Sequence, residues 1–411
     1  MRRPLGVVVR SGWVRGRIAR ASWSWVGLVL ALVMAMEARS AGAEASGRES
    51  DNIAFRLLQM EAEVVPASEP VRRELRETLE EAVAEVRRHR RVPPQHGIAE
   101  PSTEVWRREE VIVALRSIDD VLGRRGFLHP VDDRVDLLSE GLTPRSLSPT
   151  ERDAVMKLSR NGRRAALVEA RFPGPFRFVD CDTATAVYLG VAERLGLALQ
   201  MVYSPSRNRQ RGHVWVRWGK GARRVDWETT EGTLRSGFEW SADPGRGRPA
   251  SRPGRTGVEL ELGREQVVGA WHYLLAVQHE RRGEVEAMLR QLELALAAFP
   301  DHLDARRQLA WSLATLPDVT AERVRTAVAH AREVVKRTGD ADSRDTLAAA
   351  LAAHGDFPRA IREERAALAD QEAPEAARAG YRRRLALYES GRAYQQPGRR
   401  HSTASGAMDS P

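Results

Sequence analysis

The sequence predicts an α+β fold in which a helix packs on an antiparallel sheet, with helices before this core and an α-helical array after it. Three observations predict it. Apolar residues recur at helical spacing over residues 51–90 and 105–126. A helix-like run beginning at Cys181 is followed by three β-like runs at 197–204, 213–218 and 223–228. From 264 to 394, alanine-rich segments repeat small residues at fixed offsets. The 411 residues, 42% of them apolar, suit a water-soluble globular chain of two or three domains.

Residues 1–43 read as a signal peptide. Seven arginines and one glutamate surround the apolar run WVGLVLALVMAM (Trp25–Met36), and Ala41-Gly42-Ala43 follows as a small-residue cleavage site. The run is 12 residues long. A membrane-spanning helix needs roughly 20. The expectation is an exported protein, periplasmic or extracellular. The alternative is a protein anchored to the membrane by an uncleaved N-terminal segment. No other segment could cross a bilayer. The same segment carries +6 of the net charge of +9, leaving +3 for the rest without a basic stripe. That distribution argues against a nucleic-acid partner.

Residues 51–168 are expected to be a helical N-terminal region. Ile53, Leu57 and Met60 mark one helix face, and Val71, Leu75, Leu79, Val83 and Val86 mark a second after Ser68-Glu69-Pro70. Val105–Gly126 is a third helix, stopped by glycine. The core spans 169–241. Residues 242–263, opening with ADPGRGRPASRPGRTG, are an exposed linker. In the array at 264–394, Leu275-Ala276, Gly283, Ala295 and Pro300 form one unit. Leu309-Ala310 begins a second, which carries an insertion at TLPDVTAE. Leu347-Ala348, Gly355, Ala360 and Ala367 repeat the first spacing. Small residues at such offsets let paired helices approach closely. Residues 395–411 are expected to be disordered.

Cys181 is the only cysteine. It cannot form an internal disulfide, so it is either a small buried apolar residue or a chemical group. At a helix N-terminus its thiolate would be favoured, and backbone N–H groups there suit an oxyanion. Asp180 and Asp182 flank it, and their charge opposes the thiolate unless Asp180 caps the helix and points away. His213 is the one histidine of the β-like segment. A two-residue turn at Gly219-Lys220 would set it directly opposite Asp226, on one face. A three-residue loop would instead put Trp227 there and turn Asp226 to the other face. His89, His96 and His129 lack metal-ligand spacing. Trp215, Trp218, Trp227 and Trp240 are candidates for a substrate groove or for packing.

Cysteine at a helix start, then HVWVRW, then VDWETT, resembles the transglutaminase-like superfamily, over about residues 105–240. The array resembles tetratricopeptide (TPR) repeats, and a bacterial branch of that superfamily carries such repeats after its core. The resemblance implies a papain/transglutaminase-like fold, with Cys181 as nucleophile, His213 as general base and acid, and Asp226 as the orienting carboxylate. It implies acyl transfer through a thioester, as a peptidase/amidase or a transamidase, without cofactor or metal. The repeats would bind a protein or peptide partner and be removable without loss of the chemistry. A non-catalytic scaffold is the alternative.

Overall fold

The computed structural model describes residues 49, 51–90, 106–129, 137–158, 162–208, 212–235, 258–317 and 319–396. The expected signal segment, the linker up to residue 257 and the tail beyond 396 lie outside the described residues, as do His96 and Trp240. Among the described residues no helix is long and apolar enough to cross a membrane. The chain divides into two units, residues 1–52 and 53–411. The second unit holds the helices and strands from Ile53 onward.

The helices of the N-terminal region are α1 (Ile53–Met60), α2 (Glu69–Arg90), α3 (Arg108–Arg124), α4 (Leu138–Gly141), α5 (Pro149–Leu158) and α6 (Gly162–Arg171). The periodic residues of α1 and α2 point inward: Leu57, Leu75 and Leu79 are fully buried. Between these helices and the core lies a two-stranded parallel pair, β1 (Phe127–Leu128) with β2 (Arg177–Phe178). Strands of two residues carry too little alternation to be read from sequence.

The core is α7 (Cys181–Leu195) on a five-stranded sheet of β3 (Gln200–Ser204), β4 (His213–Trp218), β5 (Val225–Glu228), β6 (Thr233–Leu234) and β7 (Leu260–Leu262). The spatial order is β6-β5-β4-β3-β7, with every neighbouring pair antiparallel. Gly196 ends α7 in the left-handed conformation (φ 62°), the usual helix stop. Val214, Val216, Val225, Trp227 and Met201 form the sheet face that packs with Ala184, Tyr188 and Val191 of α7. Trp227 Nε1 donates to Tyr188 Oη at 3.2 Å. The expected linker does not run to 263. Its last residues form β7, because Leu262 buries into this core while pairing with Met201.

The array is three antiparallel helix pairs and a closing helix: α8 (Arg264–Arg282) with α9 (Val285–Ala298), α10 (Leu303–Thr315) with α11 (Ala321–Thr338), α12 (Ala341–Ala353) with α13 (Phe357–Ala369), then α14 (Glu375–Glu389). The repeated small residues Ala276, Ala295, Ala310, Ala348, Ala360 and Ala367 are all fully buried. The first pair is continuous with the core, where Val267, Val268, Trp271, Leu274 and Phe299 share one apolar cluster with α1, α7 and the sheet. Buried Glu61 ties it further, accepting from the backbone N–H of Leu138 and Ser139 (2.7 Å each) and from Trp271 Nε1 (3.0 Å). Residues 395 and 396, expected in a disordered tail, are instead held to the array: Gln396 bonds Thr315 through its backbone N–H (2.8 Å) and its side-chain amide (3.0 Å).

Inside the last pair, Glu364 is fully buried beside Asp345 and Arg384, with Arg384 Nε donating to Asp345 at 2.5 Å. Burial first, then the charge of Asp345, pushes the Glu364 carboxyl up to about 10. The folded chain therefore keeps a proton that the unfolded chain releases above its ordinary value. Stability from this group is complete below that ordinary value and falls as pH rises, by at most about 1.4 kcal/mol per unit. Thermal unfolding measured from about pH 6 to about pH 9 is expected to show this fall, and Glu364→Gln to flatten it.

Candidate functional site

Asp180 is the N-cap of α7. Its Oδ1 accepts from the backbone N–H and the hydroxyl of Thr183 (2.9 Å each), and the Thr183 hydroxyl accepts from the Asp180 N–H (2.9 Å). This reciprocal pair fixes the helix start and leaves Cys181 at its first position. The Cys181 side chain is half-buried and points its sulfur at Asp182 Oδ2 (3.6 Å). The backbone N–H of Val214, the residue after His213, faces the same sulfur. Burial pushes the thiol well up, and the charges of Asp182 and Asp180 add to that push; the Val214 N–H opposes them. Asp182 is itself pushed up to about 7, by burial first and then by Asp180. Burial and these charges disfavour the thiolate, so the sulfur needs a base to become a nucleophile.

The structure sets the His213 ring, one residue before the Val214 N–H that faces the sulfur, on a carboxylate other than the expected one. Its Nε2 lies 2.7 Å from Glu228 Oε2. Asp226 sits opposite Arg217 in the ladder, accepting from its Nε at 2.5 Å, and is held from the other side by Arg224 Nε at 2.9 Å. The expected two-residue turn is replaced by a longer connection in which Gly219 (φ 71°) precedes a 3₁₀ turn, Gly221–Arg223, whose first residue is also left-handed (φ 56°). Trp218 then pairs with Val225 rather than with Gly221, a slide of four residues. An even slide keeps the face, so a carboxylate still meets the ring, but it is the next acid along. Val-Asp-Trp-Glu carried that signal: acids two apart share a side of a strand, and either register supplies one of them.

Glu228 is fully buried. Burial pushes its carboxyl up. His213, by charge and hydrogen bond, with Thr230 and Arg235, outweighs that and holds it below its ordinary value. Thr230 Oγ1 donates to Oε1 at 2.9 Å, fixing the second oxygen. Comparison with protein-family models, with curated proteins and with solved structures returns no match for this chain.

Trp215 and Trp227 are buried packing residues, not groove walls. Arg235 stacks 3.5 Å from the Trp215 ring centroid and reaches within 4.0 Å of Glu228. A cavity of about 240 Å³ adjoins the site, bordered by Leu122, Phe127, Val179, Thr229 and Thr230. Val179 lies two residues before Cys181, and Thr230 is the residue bonded to Glu228. Among the described residues no group of three or more His, Cys, Asp or Glu side chains could hold a metal ion.

Proposed function

We propose that this protein is an exported cysteine acyl-transfer enzyme with a transglutaminase-like core and TPR-type repeats. Cys181 is the nucleophile, His213 the general base and acid, and Glu228 the orienting carboxylate in place of Asp226. The observation that carries the reading is the 2.7 Å contact between His213 Nε2 and a buried carboxylate, one residue before the Val214 N–H that faces the Cys181 sulfur. With Nε2 on Glu228, Nδ1 is the ring atom through which His213 exchanges its proton with the thiol.

The step balances simply. His213 takes the thiol proton as the sulfur bonds an amide carbonyl carbon, and backbone N–H groups at the α7 start receive the oxyanion. The C–N bond breaks as His213 returns the proton to the departing amine. Water then hydrolyses the thioester, or a second amine replaces it. The adjoining cavity offers room for a side chain of the acyl donor.

One observation favours a non-catalytic scaffold: the upward push on the thiol by burial and by Asp182 and Asp180. The two readings part on a single measurement. Native full-length protein treated with p-nitrophenyl acetate is expected to carry one acetyl group on Cys181 by intact mass and peptide mapping. His213→Ala should slow that labelling by about 10²-fold or more. Labelling that is absent, or equal in both proteins, would leave the scaffold.

A further inference from the structure

His213 follows directly on the β3–β4 connection, whose described residues Ser206 and Gly212 both meet one side chain of the helical array. Asp304, in the first turn of α10, is buried. It accepts from the Tyr203 hydroxyl (2.6 Å), from the Ser206 backbone N–H (3.1 Å to Oδ2) and from Arg307 Nη2 (2.6 Å), and it also takes the Ser206 hydroxyl. Gly212, the residue before His213, closes the loop on the same carboxylate. A Cβ there would stand 3.1 Å from Asp304 Oδ2 and 3.0 Å from the Ser204 carbonyl oxygen. Both ends of the loop are thus measured against one anion from another part of the chain.

A separate set of contacts pins the loop's middle. Asn208 is buried and left-handed (φ 47°), a conformation asparagine tolerates better than most residues. Its Oδ1 accepts from the backbone N–H of Ala341 at the start of α12 (2.9 Å), and its Nδ2 donates to Asp370 (3.2 Å). Arg207 pairs with Glu372 at 3.1 Å. Ser206, Arg207 and Asn208 together touch the array from α10 to the end of α13.

We propose that the helical array is a positioning element of the candidate active site, and that Asp304 is its positioning residue, setting the β3–β4 loop and through it the placement of His213 against Cys181. This rests on the acyl-transfer reading above. A base must hold its place to a fraction of an ångström, and a misplacement of about 1 Å costs on the order of 10²-fold. Asp304 meets donors on every side, so an amide in its place would set its own N–H against one of them. Burial opposes its charge, but Arg307 and His302, with the hydrogen bonds of Ser206 and Tyr203, hold its carboxyl below the usual range.

The test uses the full chain and two readouts: the rate of Cys181 acetylation by p-nitrophenyl acetate across pH, and the titration of the His213 ring followed by NMR. Asp304→Asn is expected to slow acetylation by about 10- to 100-fold, to move the midpoint of the pH–rate profile and to shift the His213 signals, with native helicity by circular dichroism. Ser206→Ala, which removes one hydroxyl, is expected to do the same to a smaller degree and serves if the first variant fails to fold. Folded variants with native His213 signals and native acetylation would overturn the proposal. If native protein shows no Cys181 acetylation, the acyl-transfer reading falls, and the His213 signals still decide whether Asp304 sets the loop.

Discussion

Glu228→Gln is expected to lower acyl transfer by about 10²–10⁴-fold while leaving the fold intact. The glutamine has the same shape and can still meet His213 Nε2, but it cannot stabilise the imidazolium that forms as the thiol loses its proton. Its amide also presents N–H in place of one acceptor, which favours the wrong ring tautomer or leaves Thr230 without its oxygen. Asp226→Asn provides the contrast. Asp226 joins the buried Arg217 and the exposed Arg224 in an ion cluster that also takes in the partly exposed Glu259 and Glu261. Removing its charge leaves Arg217 with Glu259 and Glu261 and is expected to cost about 2 kcal/mol of stability with an unaltered rate in the folded protein. Steady-state rates and chemical denaturation on the two variants separate these outcomes. A rate loss confined to Asp226→Asn would return the orienting role to Asp226 and remove the assignment to Glu228.

The second large effect concerns the array. Deleting residues 264–411 is expected to leave no folded core, against the sequence-based expectation that the repeats are removable. The deletion takes Val267, Val268, Trp271, Leu274 and Phe299 out of the central apolar cluster. At roughly 2 kcal/mol for each large buried side chain, the loss is about 10 kcal/mol. That equals the whole stability of an ordinary domain, about 5–15 kcal/mol. Glu61 would also lose the Trp271 donor while remaining attached to Leu138 and Ser139. The fragment is expected to show no cooperative thermal transition and no near-ultraviolet dichroism. A soluble monomer that melts cooperatively would show that the core closes without the array. Trp271→Ala in the full chain offers a graded version, expected to cost about 3–5 kcal/mol.

Much of this architecture was legible in the residues, for local reasons. The faces of α1 and α2 follow from apolar spacing, and α7 begins at Cys181 and stops at Gly196 as its capping residues dictate. The three helix pairs follow from small residues that have no use except close approach. The candidate site was legible to the level of a ring and an acid on one strand face. Which acid was not, because two glycines in the β4–β5 connection are compatible with several loop lengths, and the register depends on the loop chosen. The array's grip on the core was also illegible. Tyr203 and Asp304 are 101 positions apart, and each reads alone as an ordinary polar residue. Nothing short of tertiary packing relates them.

The bond between Trp271 and Glu61 joins residues 210 positions apart. Such distant closure makes folding slow and ties it to the order of synthesis. On a ribosome the first helices emerge long before the tryptophan that completes their interior. They must wait, as a loose and unfinished assembly, until synthesis has passed residue 271.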